Sequence, residues 1–122
     1  MVPDTNTIIA YLAGEEVMVR AFSQWREEGP LFLPTVVESE VLSFNKWDKV
    51  ERSVTEQFIE ENFTSIPFDR PIARIAARLR GAIRIKFPDA AIAASALYLH
   101  VPLVTRNVKD FKSVPDLEIV SL

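Results

Sequence analysis

The residues most able to carry chemistry in this chain are acidic and far apart in sequence. Asp4 leads into Thr5 and Asn6. Glu40 lies within Glu38-Ser39-Glu40-Val41-Leu42. Asp89 precedes Ala90-Ala91-Ile92-Ala93-Ala94-Ser95-Ala96-Leu97, and Asp110 closes the stretch that begins Thr105-Arg106-Asn107. Carboxylate oxygens are hard donors that suit Mg²⁺ and Mn²⁺, which usually take one or two carboxylates together with water. Rival chemistries lack their residues. The chain has no Cys, so thiolate nucleophiles, thiolate metal sites and disulfides are excluded. The single His, His100, ends a helical stretch beside Val101-Pro102 and reads as a helix-terminal charge or a surface residue. Each acid also has a plain structural reading. Asp4 and Asp89 can cap the helices that follow them. Glu38 and Glu40 are two apart on a helix, so they point about 200° from each other and only one can face inward. A buried carboxylate needs a cation or a hydrogen-bond donor.

The elements that must position these acids alternate between short strands and longer helices. Strands are predicted over 1–4, 31–33, 64–67, 103–105 and 117–120, and helices over 5–12, 15–28, 34 to about 47, and 50–62. Val54, Phe58 and Ile59 recur at helical spacing in the last of these. Asp69 is an N-cap with Pro71 in the first turn of the next helix, where Ile72, Ile75, Ala76, Leu79 and Ile83 line one face. Phe87-Pro88 is expected to break that pattern, with Asp89 opening a final helix to His100. The alternation implies one α/β domain over 1–122: a three-layer α/β/α arrangement with a central, mostly parallel sheet of four to five short strands. Sites in such sheets gather at the carboxyl ends of the strands. Asp4, Asp69 and Asp110 lie at or just past strand ends, and Glu40 and Asp89 lie on helices that can return to the same edge.

Taken together and in order, four stretches resemble the PIN domain, and within it the VapC-like ribonuclease toxins of type II toxin–antitoxin systems. They are Asp4-Thr5-Asn6; Pro34 through Leu42 with its Glu40-Val41; Asp89 through Leu97; and Thr105-Arg106-Asn107 with Asp110-Phe111. They span nearly the whole chain. The resemblance implies acids around one or two Mg²⁺ or Mn²⁺ ions. Asp4, Glu40 and Asp89 carry over directly as catalytic metal ligands. The fourth position departs from the family's commoner Asp: this chain has Asn107, so either Asp110 or a water held by Asn107 serves. Thr5, Asn6 and Asn107 correspond to polar neighbours that orient ligands and water. The implied activity is metal-dependent endoribonuclease hydrolysis of RNA. The implied partners are a VapB-like antitoxin, lying as a helix in a groove, and a second copy in a homodimer. Two other readings share parts of the pattern: a PIN nuclease of RNA processing without an antitoxin, and an inactive PIN fold used for binding. A receiver domain has similar length and acidity, but it pairs acids after its first strand, where this chain has Asp4 alone.

The net charge of −3 runs against a nucleic-acid binder unless the basic residues are clustered. Arg70, Arg74 and Arg78 share a helix face, and Arg80, Arg84 and Lys86 follow. Arg74, Arg78 and Lys86 are therefore candidate RNA contacts beside Asp89, with Arg106 opposite. Phe22, Trp25, Phe44, Trp47, Phe58 and Phe63 supply more large apolar surface than one small core need bury, so an exposed patch covered by a partner is expected. No apolar run approaches the ~20 residues of a membrane span. The absence of cysteine and of a signal-like N-terminus points to the cytoplasm.

Overall fold

The computed structural model describes residues 1–122. Along the chain run β1 (Val2–Pro3), α1 (Thr5–Leu12), α2 (Glu16–Glu28), β2 (Phe32–Pro34), α3 (Thr35–Leu42), α4 (Lys49–Asn62), β3 (Thr64–Ile66), α5 (Arg70–Ala82), α6 (Phe87–Leu99), β4 (Leu103–Val104), α7 (Val108–Phe111) and β5 (Ile119–Val120). Three of the helices begin at an aspartate in extended backbone whose carboxylate accepts a bond from a first-turn N–H. Asp4 accepts from Thr7, Asp48 from Glu51 and Asp69 from Ile72. At Asp48 the Glu51 side chain also reaches back to the Asp48 N–H, which completes a capping box. Between α1 and α2, Gly14 takes φ +78°, a left-handed turn that suits a residue without Cβ.

All strand pairings are parallel. β4 lies between β1 and β5, with Val2 level with Leu103, Pro3 with Val104, and Val104 with Val120. β2 pairs with β3, Leu33 opposite Ser65. The expected five strands are present, but they form a ladder of three and a ladder of two. Two prolines explain the seam. The N–H groups of Val2 and Asp4 donate to Pro102 and Val104 on the β4 side, so a donor at position 3 would face β2, and Pro3 has none. On β2, the Phe32 N–H donates to Met1 O at 2.9 Å, and the next donor toward β1 would come from Pro34. That bond joins the two ladders, together with one from the Met1 ammonium to the Pro30 carbonyl at 3.3 Å.

Several boundaries differ from the sequence reading. The helix expected to run from 34 to about 47 stops at Leu42, and Pro34 ends β2 instead of entering the helix. The chain turns after Leu42 because Trp47 folds back and donates its indole N–H to the Val41 carbonyl at 2.7 Å, closing the α3 end just before the Asp48 cap. Phe87-Pro88, expected to break the preceding helix before Asp89 opened the next, lies past the end of α5 at Ala82 and itself begins α6, with Lys86 as the N-cap residue. A proline fits there because its missing N–H would be unpaired in a first turn anyway. Asp89 is therefore a first-turn residue, not a cap. The polar stretch after β4 contains a short helix, α7.

α6 is the buried axis of the molecule. Ala90, Ala91, Ala93, Ala94 and Ala96 are fully buried, and their small side chains let α5 approach closely, where Ile72 and Ala76 pack against Ala90 and Ala94. The larger core cluster joins Phe22, Leu33, Val37, Val41, Leu103 and Phe111 to the sheet. The aromatics expected at the surface are mostly inward. Phe22 and Trp25 are buried, and Phe44, Trp47, Phe58 and Phe63 are half-buried. Exposure falls instead on three other aromatics, Phe68, Phe87 and Tyr98, and on valines of α2 and α4. α4 turns Thr55 and Ile59 inward and leaves Val50 72% and Val54 62% exposed.

The close α5–α6 contact generates a test. Ala94→Leu inserts volume where a neighbouring helix already touches, and it should cost about 1–3 kcal/mol. Val54→Ser on the exposed face should change stability by no more than about 0.5 kcal/mol. Urea midpoints at constant m check both.

Candidate active site

Asp4 is the most enclosed of the candidate acids, at 6% exposure. It stands where β1 ends, and the parallel register brings it level with Thr105 at the end of β4. Its Oδ1 accepts from the Thr7 N–H at 3.0 Å and the Thr7 hydroxyl at 2.5 Å, while Oδ2 accepts from the Thr105 hydroxyl at 2.5 Å. Three donors hold an ion that burial would otherwise penalise. An ionised carboxylate offers about four acceptor positions, so capacity remains for one further partner. The capping and functional readings of Asp4 are therefore compatible: one oxygen caps α1 and the other is aimed at the strand edge.

Thr105 also accepts the Asn107 backbone N–H at 2.9 Å, so the loop after β4 is tied through one hydroxyl to Asp4. Glu40, near the end of α3, accepts from the Thr5 hydroxyl at 2.5 Å. Of the Glu38 and Glu40 pair, Glu40 is the one that enters this site. Asp89 arrives from the first turn of α6, where the helix dipole favours a negative charge. Asp110 arrives from α7.

These groups line one small cavity of about 150 Å³: Asp4, Glu40, Asp89 and Asp110, together with Thr5, Asn6 and Asn107. Asp69, the remaining acid after a strand, lies outside it and caps α5. The electrostatics register the crowding. Burial pushes the Asp89 carboxyl above the usual range, and the neighbouring charges of Asp110, Glu40 and Asp4 push it further; Lys86 opposes them. None of the four acids has an ion-pair partner. Nor are any three drawn tightly enough together to form a ready-made coordination cage. An all-oxygen set with unbalanced negative charge fits a hard divalent cation, which would draw the carboxylates inward.

The basic candidates separate. Lys86 lies in an adjoining cavity, Arg74 and Arg78 are exposed on α5 and line neither cavity, and Arg106 forms a two-pronged ion pair with Glu15, one arm at 3.0 Å. That pair holds the Glu15 carboxyl below its usual range, chiefly through the hydrogen bond from Arg106. His100 lies in a different cavity with Asp116 and Glu118. The sequence reading missed Thr7 and Thr105. Both left signals: Thr7 is three residues past Asp4, the spacing of a capping contact, and Thr105 ends the strand that pairs with the one ending at Asp4.

The PIN domain family matches residues 1–117. The ribonuclease VapC of Rickettsia bellii (strain RML369-C) is 29% identical, covering 100% of this chain and 96% of that protein. Among solved structures, a toxin–antitoxin complex from Klebsiella pneumoniae contains a chain 28% identical, with a TM-score of 0.81 and coverage of 98% of this chain and 95% of that one. The VapBC2 complex of Rickettsia felis, bound to a promoter DNA fragment, matches the fold at a TM-score of 0.84 and 19% identity, over 99% of this chain and 97% of that one.

The hydroxyl between Asp4 and Asn107 is open to direct test. Thr105→Val keeps the shape, removes a donor from a buried carboxylate, and should cost about 1–3 kcal/mol. Thr105→Ser should retain most of that stability. Equal urea midpoints for the two variants would show that the hydroxyl contributes nothing.

Proposed function

The chain belongs to the PIN-domain family, and from that premise we propose that it is an Mg²⁺- or Mn²⁺-dependent endoribonuclease, the toxin of a toxin–antitoxin pair. The observation that carries this reading is the meeting of Asp4, Glu40, Asp89 and Asp110 from four different elements in one cavity at the carboxyl edge of a parallel sheet. These four carboxylates would hold one or two ions. When bound, such an ion acidifies water and offsets the charge that builds on a phosphate under attack.

The chain's own residues supply the framing. Thr7 and Thr105 fix both oxygens of Asp4, and Thr5 fixes one oxygen of Glu40, so the acids cannot swing freely away from the cavity. Asn6 and Asn107, on the rim, can donate or accept hydrogen bonds from water or from a phosphate oxygen. The 2′-hydroxyl route to RNA cleavage needs a general base and acid, often His. The only His is in another cavity. Attack by water is the reading consistent with these groups, and it leaves a 5′-phosphate. Single-stranded RNA is the favoured substrate because unpaired bases can be reached and read.

The VapC name of the relative and the toxin–antitoxin complexes among its structural neighbours support an antitoxin partner. A shallow cavity of about 320 Å³ between α1 and α4, lined by Leu12, Trp47, Val50, Val54 and Phe58, offers apolar surface for a partner helix. A homodimer and a cytoplasmic location complete the proposal. No helix is long and apolar enough to cross a membrane, and the chain has no cysteine.

Two outcomes are expected. Millimolar Mg²⁺ or Mn²⁺ should raise Tm and support cleavage to 5′-phosphate ends; Asp4→Asn should remove most of the Tm response, and Asp89→Asn should abolish cutting with the fold intact. Cleavage that persists in EDTA and leaves 2′,3′-cyclic ends would overturn the mechanism. Val54→Asp should weaken binding of the protein encoded beside this gene by at least about tenfold, measured by calorimetry, without lowering Tm. Unchanged affinity would remove the α1–α4 surface from the partner interface.

A further inference from the structure

Beside the acidic cavity lies a second one of about 370 Å³ with the opposite character. Arg80, Arg84, Lys86 and Lys109 line it, and Asp89 and Asp110 form the wall that it shares with the acidic cavity. The chain's ion pairs are Arg20 with Glu16 and Arg106 with Glu15, so none of these four cations is paired. The local chain explains how they meet. After α5 ends, Ile83 takes extended backbone, and the Ile83 and Ile85 side chains pack against the core. Side chains alternate in extended backbone, so Arg84 and Lys86 are turned outward. Arg80 is steadied by a bond from its Nε to the Ile85 carbonyl at 3.4 Å, and α7 brings Lys109 from the other side.

Four like charges with no ion-pair partner, gathered in a chain of net charge −3 and faced only by Asp89 and Asp110, repel one another. Their arrangement makes sense toward an anion. We propose that this cavity is a subsite for a backbone phosphate of the RNA strand, next to the phosphate presented to the acidic cavity. The proposal rests on the nuclease reading and deepens it. The shared wall of Asp89 and Asp110 sets the two subsites side by side, so one strand crossing both would present successive phosphates to them. A guanidinium matches two phosphate oxygens at once, while an ammonium acts as a point charge, so the arginines would fix orientation and the lysines add attraction. Arg78 is two residues before Arg80 on the same helix and therefore points away from this cavity.

The test uses a fluorescein-labelled, single-stranded RNA with phosphorothioate linkages, bound in Mg²⁺ over a range of KCl and read by anisotropy. Arg84→Gln and Lys109→Gln should each weaken binding several-fold and lower the slope of log K against log salt by about 0.7, the loss of one phosphate contact to a single strand. Arg52→Gln on the exposed face of α4 should change neither. Thermal melts should match wild type for all three, since each side chain is exposed. A wild-type slope in both Arg84→Gln and Lys109→Gln, or a loss that appears in Arg74→Gln and Arg78→Gln instead, would overturn the subsite. If the wild-type chain cleaves ordinary RNA while the cavity variants bind normally, only this proposal fails. If the wild-type chain neither binds nor cleaves RNA, the nuclease reading fails with it.

Discussion

Four carboxylates share a cavity of about 150 Å³ without a paired cation among their neighbours. Like charges brought together in a partly dehydrated space repel: burial raises the Asp89 carboxyl above its usual range, and its three acidic neighbours raise it further. A fold that keeps such a cluster must restrain it from outside. Here the restraint is a set of threonine hydroxyls. Thr5 holds Glu40, and Thr7 and Thr105 hold Asp4. Hydroxyls suit this task because they donate without adding a positive charge, so they steady the acids without neutralising them. A lysine or arginine in the same place would satisfy the carboxylates and close the site to any other cation.

The position of Asp4 depends in turn on the sheet. Its backbone N–H donates to Val104, and the parallel register makes Thr105 its neighbour across the strand ends. Pro3 and Pro34 remove donors on the other side of β1, so β1 is anchored chiefly through β4. The result is a firm β1–β4 pair under the site and a looser joint to the β2–β3 ladder, from whose end α3 delivers Glu40. Asp89 is held differently. It sits on α6, whose buried alanine faces fix the helix against α5 and the sheet, so its placement comes from packing and not from hydrogen bonds.

Much of this was legible in the sequence because the informative features are local. Asp-capped helix starts, the apolar face of α5 and the β-branched strands follow from spacing within a few residues. The boundaries that were misplaced depend on contacts across turns. The end of α3 is set by the Trp47 indole reaching back to Val41, which no helical periodicity reports. Pro88 looked like a breaker because its effect depends on whether it falls in a first turn or an interior, and Phe87 before it hid the start. Position and chemistry offered Asp4, Glu40, Asp69, Asp89 and Asp110, and the family resemblance left Asp69 aside; the structure brings the other four to one cavity, while Thr7 and Thr105 were overlooked because threonine is common and only the strand register shows which one faces an aspartate. The aromatic residues misled in the other direction: ring contacts of Tyr11 with Phe22 and Phe58 draw them inward, and the exposed apolar surface falls to Phe68, Phe87, Tyr98 and valines of α2 and α4.

Composition alone gives an acidic chain, yet a proposed RNA-cutting site must accept a polyanion. The structure resolves the tension by segregation. Four acids are concentrated where a divalent cation is proposed to bind, and four cations are concentrated next door, with Asp89 and Asp110 as the boundary. Loading a divalent ion on the acidic side would change the field on both sides of that boundary. The repulsion that Asp89 and Asp110 exert on an approaching phosphate would fall, and the unpaired cations beyond them would act with less opposition. Attraction for the strand and readiness for chemistry would then rise together, because the same two aspartates face both cavities. Net charge is a poor guide here because the decisive quantity is the field along a path a few residues wide, where Lys86 already acts against the acids on Asp89.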